Sequence, residues 1–193
     1  MKILTELKES PQNPPLGLII GSFDGVHLGH QLLIKRLDEL LGSRGTKAII
    51  TFSNHPSQVL KKGKSVSPIC TKEEKIKFLE EAGVDLLYLL EFTPELASLT
   101  YEEFLKKVKK AYPFQYLVVG KGDAFGKGRE GNEDRVKELE KKLNFKADYV
   151  EKLKIDGEIV SSGKIREFIA SGDLKKAAKF LGRGYPFFQG ENQ

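Results

Sequence analysis

A chain of 193 residues is long enough for one domain with a sizeable core and too short for two full-sized ones. Hydrophobic residues make up 39% and charged residues 31%, no apolar run approaches the roughly 20 residues of a membrane span, and the N-terminal residues lack a signal-peptide pattern, so a cytoplasmic protein with no membrane partner is expected. The formal net charge of +5 asks for an anionic partner; glutamates interleaved with lysines, as in Lys72-Glu-Glu-Lys-Ile-Lys77, read as solvated helix faces, so phosphorylated small molecules are expected and nucleic acid is not.

Residues 16–20 read as a short buried strand bounded by Pro14-Pro15 and Gly21. Leu28, Leu32, Leu33, Leu37, Leu40 and Leu41 then recur at helical spacing, which makes 21–26 a strand-to-helix turn and puts His27 and His30 in the first helical turn. Gly42 and Gly45 break that helix before a second strand at 47–52. Cys70, the single cysteine, excludes an internal disulfide and reads as a small buried side chain. Thr71-Lys-Glu-Glu74 is a capping box opening a helix through Ala82, which Gly83 ends. An apolar strand at 84–90 follows, then a second capping box, Thr100-Tyr-Glu-Glu103, opening a helix to about Ala111. A strand at 115–119, a helix over about 133–143 and a fifth strand at 145–151 come next. Ser161 caps a short helix to Ala170, and Asp173 starts the last one, which stops at Gly182.

Strands alternating with helices predict an α/β fold: a Rossmann-like, doubly wound parallel sheet of about five strands with helices on both faces and right-handed crossovers. Ligands of such sheets bind outside the carboxyl ends of the strands, where strand order reverses. The loops after the first and fourth of these strands hold the most glycine-rich stretches, 21–29 and 120–131, and line one crevice if those strands are neighbours.

The turn at 21–30 has the chemistry of a phosphate site. N–H groups at a helix start are unpaired and partially positive, and Gly21, Gly25 and Gly29 remove side chains where phosphate would approach the backbone. His27 and His30 add donors aimed at the same oxygens. Structural histidines or a zinc pair are the other readings, and zinc lacks a third ligand at useful spacing because only His55 and Cys70 remain. The loop Lys121-Gly-Asp-Ala-Phe-Gly-Lys-Gly-Arg-Glu-Gly131 is long enough to fold over a ligand, with Phe125 as an aromatic face, or to stay solvated. In Ser161-Ser-Gly-Lys-Ile-Arg166, hydroxyls and free N–H groups can hold phosphate while Arg166 points a charged fork at the same place; an ordinary cap with a surface arginine is the other reading.

Gly21-Ser-Phe-Asp-Gly-Val-His-Leu-Gly-His30 resembles the HxGH signature of the nucleotidylyltransferases. With Thr51-Phe-Ser-Asn-His-Pro56, Val118-Val-Gly-Lys-Gly-Asp-Ala-Phe-Gly126, the 161–166 segment and Leu181-Gly-Arg-Gly-Tyr185, the chain resembles in order, from Leu16 to Gly190, the FMN adenylyltransferase module of bacterial FAD synthetases. The resemblance implies transfer of AMP from ATP to FMN, giving FAD and pyrophosphate, with Mg²⁺ accompanying ATP. It implies His27, His30 and Arg166 as catalytic residues, Gly21, Ser22, Phe23, Asp24, Gly29, Ser161 and Ser162 around ATP, and His55, Asp123 and Phe125 around the flavin, with no protein metal site. Four positions depart from the family pattern: Asn54 stands for a proline, Gly163 for a threonine, Gly122 for an acidic or amide residue and Asp123 for an aromatic one, with Asp123 as a substitute for the acid missing at 122. The alternatives are another ATP- or CTP-dependent nucleotidylyltransferase, or a nucleotide-binding relative without catalysis. The family continues into a riboflavin kinase domain; here one domain over 1–186, a short tail at 187–193 and no kinase activity are expected.

Overall fold

The computed structural model describes residues 1–9, 14–60 and 66–186, so the expected tail at 187–193 lies outside the described residues. In chain order the elements are β1 (Lys2–Leu4), β2 (Leu16–Ile20), α1 (Leu28–Leu41), β3 (Thr46–Phe52), α2 (Pro56–Leu60), α3 (Lys72–Glu81), β4 (Leu86–Leu90), α4 (Pro94–Ser98), α5 (Tyr101–Ala111), β5 (Tyr116–Gly120), α6 (Glu133–Leu143), β6 (Lys146–Val150), β7 (Lys154–Ile155), β8 (Glu158–Ile159), α7 (Ser162–Ala170) and α8 (Leu174–Leu181). Both expected capping boxes form: the hydroxyls of Thr71 and Thr100 accept from the N–H groups of Glu74 and Glu103, whose carboxylates accept in return from the threonine N–H groups.

Among the described residues six strands form one parallel sheet in the order β1-β4-β3-β2-β5-β6. The strand beyond the expected five is β1, whose three residues pair with β4 at the sheet edge and leave no hydrophobic period to read. The central strands are continuous apolar runs because both faces are covered: β4 is buried at every position. On one face Ile34 and Leu37 of α1 and Leu79 of α3 pack against Ile19, Ile49 and Leu87. On the other, Phe104, Leu105 and Val108 of α5 and Val136 and Leu139 of α6 pack against Leu18, Ile50 and Leu117. Each such leucine or isoleucine, fully withdrawn from water, contributes about 1.5–3 kcal/mol of transfer free energy.

Helices α7 and α8 form a separate apolar cluster with Ile69 and Val160. A small antiparallel hairpin, β7–β8, leads into α7. Its turn is Asp156-Gly157, with both residues at positive φ (52° and 80°), as a two-residue hairpin turn requires.

Strand order runs from β2 through β3 to β4 on one side and restarts at β5 and β6 on the other. The reversal falls between β2 and β5, which pair directly at Gly17–Tyr116, Leu18–Leu117 and Ile19–Val118. The two glycine-rich loops therefore leave adjacent strand ends and share one crevice.

Candidate active site

From the end of β2 the chain reverses through residues 21–26 into α1. Phe23 (φ 49°) and Val26 (φ 37°) hold left-handed backbone there, at a cost of about 1–3 kcal/mol each. Such a turn persists only if the rest of the protein holds it. The Ser22 carbonyl accepts from Thr51 Oγ1 (2.8 Å) and Lys75 Nζ (3.0 Å), and the Asp24 carbonyl accepts from Ser162 Oγ (2.9 Å). The Val26 carbonyl accepts from Gln31 Nε2 and from Arg183 Nη1, each at 3.1 Å, and Arg183 Nη2 donates to the Gly25 carbonyl. With the carbonyls so engaged, the N–H groups of Ser22, Phe23 and Asp24 have no acceptor among the described residues.

His27 is the N-cap of α1, and its Nδ1 accepts from the His30 N–H at 3.3 Å. Its proton therefore sits on Nε2, which makes the neutral ring a donor at that edge. The two imidazoles stack with centroids 3.6 Å apart and 15° between planes, and Phe23 lies against His30 at 4.6 Å. Burial, then the charge of Arg183, lowers the His27 pKa to about 4; burial, then His27 and Lys75, holds His30 well below its ordinary value. Both rings are neutral at pH 7. No carboxylate bonds to either among the described residues, and His30 Nδ1 is buried without a partner there, so the pair is suited to donating N–H bonds rather than relaying protons. Gly29 makes the crowding possible, since a Cβ would lie 3.1 Å from the His27 ring and 3.4 Å from the Val160 carbonyl.

The start of α7 faces the same turn. Ser161 Oγ accepts from the Lys164 N–H as helix cap, while Ser162 Oγ spends its hydrogen on the Asp24 carbonyl. Of the hydroxyls expected around a phosphate, Ser162 is therefore engaged, while those of Ser22 and Ser161 donate to no group among the described residues. Arg166 Nη2 pairs with Asp24 Oδ2, and Nε donates to the Ser67 carbonyl at 3.0 Å. Asp24 Oδ1 accepts from the Ile69 N–H at 2.9 Å. Arg166 and Asp24, expected to face a ligand separately, are thus joined to each other, with Arg166 Nη1 left unpartnered among the described residues. His55 Nε2 stands 3.4 Å from Arg166 Nη2. The His55 Nδ1 accepts from the Ser57 N–H, so Nε2 carries the proton and the two facing groups are both donors.

The turn at Gly21–Phe23, the two histidines, His55 and the start of α7 line a cleft of about 550 Å³ at the switch point; Asp24, Arg166, Lys75 and Arg183 brace these groups and are not among its lining residues. Gly21, Ser22, His27, Gly29, His30, Ser161 and Ser162 line its polar end, and Phe52, Phe92, Leu96, Leu99, Phe104 and Phe125 line an apolar lobe. Loop 121–131 is fastened over the lobe: Phe125 bridges to Gly131 and meets Phe104 edge-on, and the Lys127 N–H donates to the Leu99 carbonyl at 2.8 Å. Asp123 lines the rim, where its Oδ1 accepts from Lys152 Nζ at 3.2 Å.

Lys75, Arg183, Thr51 and Gln31 hold the turn and were not among the expected site residues. Arg183 had a signal in Leu181-Gly-Arg-Gly-Tyr185. Lys75 had none: the run 72–77 reads as a solvated face, and the structure corrects that for Lys75, which turns inward to two backbone carbonyls. Among the described residues no group of three or more metal-ligating side chains could hold an ion, and no helix is long and apolar enough to cross a membrane.

Residues 9–164 match the family model described as FAD synthetase. A bifunctional riboflavin kinase/FMN adenylyltransferase of Listeria monocytogenes is 33% identical over 174 residues, covering 88% of this chain and 54% of that protein. A FAD synthetase of the same organism is 33% identical over 172 residues, covering 89% of this chain and 69% of that one. The chain thus spans about half the length of the bifunctional relative. A crystal structure described as a macrolide-efflux protein from Streptococcus pneumoniae superposes with a TM-score of 0.81 at 26% identity, over 94% of this chain and 61% of that one.

Proposed function

The chain belongs to the FAD synthetase family, and from that premise we propose that it transfers AMP from ATP to FMN, giving FAD and pyrophosphate. The observation that carries this reading is the joining, in one cleft of about 550 Å³, of a donor-rich turn with a lobe lined by aromatic and aliphatic side chains.

An oxygen of the FMN phosphate attacks the α-phosphorus of ATP in line. The bond from that phosphorus to the bridging oxygen breaks, and the electron pair leaves on pyrophosphate. No protein nucleophile is needed, so catalysis lies in holding two anions together and in meeting the charge that grows on the leaving group. The free N–H groups of the turn, the start of α1 and the neutral His27 and His30 supply those donors; removing one such donor typically costs about 10²–10³ in rate.

Arg166 and His55 face each other as donors with no acceptor between them. An anion satisfies both, and the FMN phosphate fits that place, beside the apolar lobe. Phe125 and its neighbours then cover the isoalloxazine ring, with Asp123 at the rim as an acceptor for a ring N–H. Magnesium enters with ATP as part of the substrate, because Asp24 is spent on Arg166 and the Ile69 N–H, and Asp123 pairs with Lys152.

The test is incubation of the purified chain with FMN, ATP and Mg²⁺, following FAD and pyrophosphate by chromatography. FAD from ATP, none from CTP and a rate lowered about 10²–10³-fold with His30→Ala is the expected result. A folded chain that forms no FAD would redirect the search to other phosphorylated acceptors.

A further inference from the structure

Lys75, on the first turns of α3, donates from Nζ to the Ser22 carbonyl at 3.0 Å and to the Phe52 carbonyl at 2.9 Å. It ties the end of β3 to the turn that follows β2. No carboxylate pairs with this ammonium among the described residues. Glu74 beside it is occupied by the Thr71 capping box, and Asp24 is committed to Arg166. A partly buried cation whose hydrogen bonds go only to neutral carbonyls is costly; burial lowers the Lys75 pKa, and the nearby charge of Asp24, already paired with Arg166, offsets only part of that.

A methionine of similar length would pack α3 against the sheet without that cost, so the charge needs its own explanation. The geometry offers two. The carbonyl and the following N–H of a trans peptide point in opposite directions, so drawing the Ser22 carbonyl toward Lys75 and Thr51 turns the Phe23 N–H the other way, where it finds no acceptor in the described chain. The Lys75 charge, which Asp24 offsets only in part, also lies close to His30 and the same turn, the place where a polyanion would balance it.

We propose that Lys75 is a positioning residue for polyphosphate binding: it fixes the Ser22–Phe23 peptide in the orientation that frees the Phe23 N–H, and its charge is balanced when phosphates occupy the turn. This rests on reading the turn as the phosphate-binding part of an FAD synthetase, and it is independent of which acceptor takes the AMP.

Magnesium pyrophosphate is the probe, titrated calorimetrically into the full chain alongside the FAD assay and thermal melting. Lys75→Met binds it at least about tenfold more weakly, the size of one charge-assisted hydrogen bond, and lowers kcat more than the KM for FMN. Lys75→Gln, which keeps N–H donors without the charge, falls between. In the unaltered chain the Phe23 amide and the Lys75 ammonium NMR resonances shift when pyrophosphate is added. Wild-type affinity and kcat in whichever variant folds, or a Lys75 resonance unmoved by bound pyrophosphate, overturns the proposal, as does an unaltered chain that binds no pyrophosphate. A chain that binds pyrophosphate with these shifts yet forms no FAD defeats the FMN reading and leaves the role of Lys75 standing.

Discussion

Arg166 and Asp24, 142 residues apart in the chain, form an ion pair in which the Asp24 side chain is 4% exposed and that of Arg166 24%. The pair fastens α7 to the turn after β2, so a helix near the C-terminal end sets the position of a loop near the start.

Removing one partner of such a pair strands the other. Arg166→Ala leaves the Asp24 carboxylate buried with the Ile69 N–H as its main donor, and a loss of about 2–3 kcal/mol is expected in urea unfolding, somewhat below the range for fully buried pairs because Arg166 reaches solvent. Adding Asp24→Asn removes the stranded charge and recovers part of the stability, while FAD formation stays lost. A stability change within about 0.5 kcal/mol for the single variant would mean that the pair behaves as a surface one.

The neutral histidines make stability depend on pH in a stated direction. With His27 at about 4 in the folded chain and 6.5 as its ordinary value, the unfolded chain takes up a proton between those pH values that the folded chain refuses. Stability therefore falls as pH drops from about 6.5 to about 4, and His30 acts in the same sense. His27→Asn, which keeps an N-cap acceptor, should show a shallower slope across that window in denaturant unfolding; an equal or steeper slope contradicts the assignment.

Arg183 holds the Gly25 and Val26 carbonyls and lies over the Phe78 ring at 3.7 Å. Arg183→Ala frees a turn whose left-handed Phe23 and Val26 need support, so the KM for ATP should rise about tenfold or more, with about 1–3 kcal/mol lost in unfolding. Lys in its place restores charge without the fork and should rescue little. Steady-state kinetics of both variants decides the point.

Gly126 anchors the loop over the apolar lobe. It holds φ 79°, and a Cβ there would sit 2.5 Å from the Tyr101 backbone nitrogen, so Gly126→Ala must push the loop off α5. The KM for FMN should rise several-fold while the ATP dependence changes little, together with about 2 kcal/mol of lost stability. Equal effects on both substrates would show that the loop does not serve the flavin side alone.

What depends on neighbours in the chain was legible from the residues themselves: the apolar runs of β2 to β5, the capping boxes at Thr71 and Thr100, the caps at Ser161 and Asp173, and the helix start that carries His27 and His30. The edge strand β1 escaped because three residues carry no period, and the hairpin at Asp156-Gly157 because its strands are shorter still. Adjacency of β2 and β5, and hence a single crevice, followed from the sequence only as a condition; pairing across the sheet decided it. The partners of the site groups were decided by tertiary structure alone. Asp24 meets Arg166, Ser162 gives its hydroxyl to the turn rather than keeping it for a ligand, and Lys75 leaves an apparently solvated face to reach the Ser22 carbonyl. Hydrogen bonds and ion pairs of that kind act over about 3 Å in space between residues far apart in the chain, and periodicity along a sequence holds no record of which distant group will satisfy a given donor.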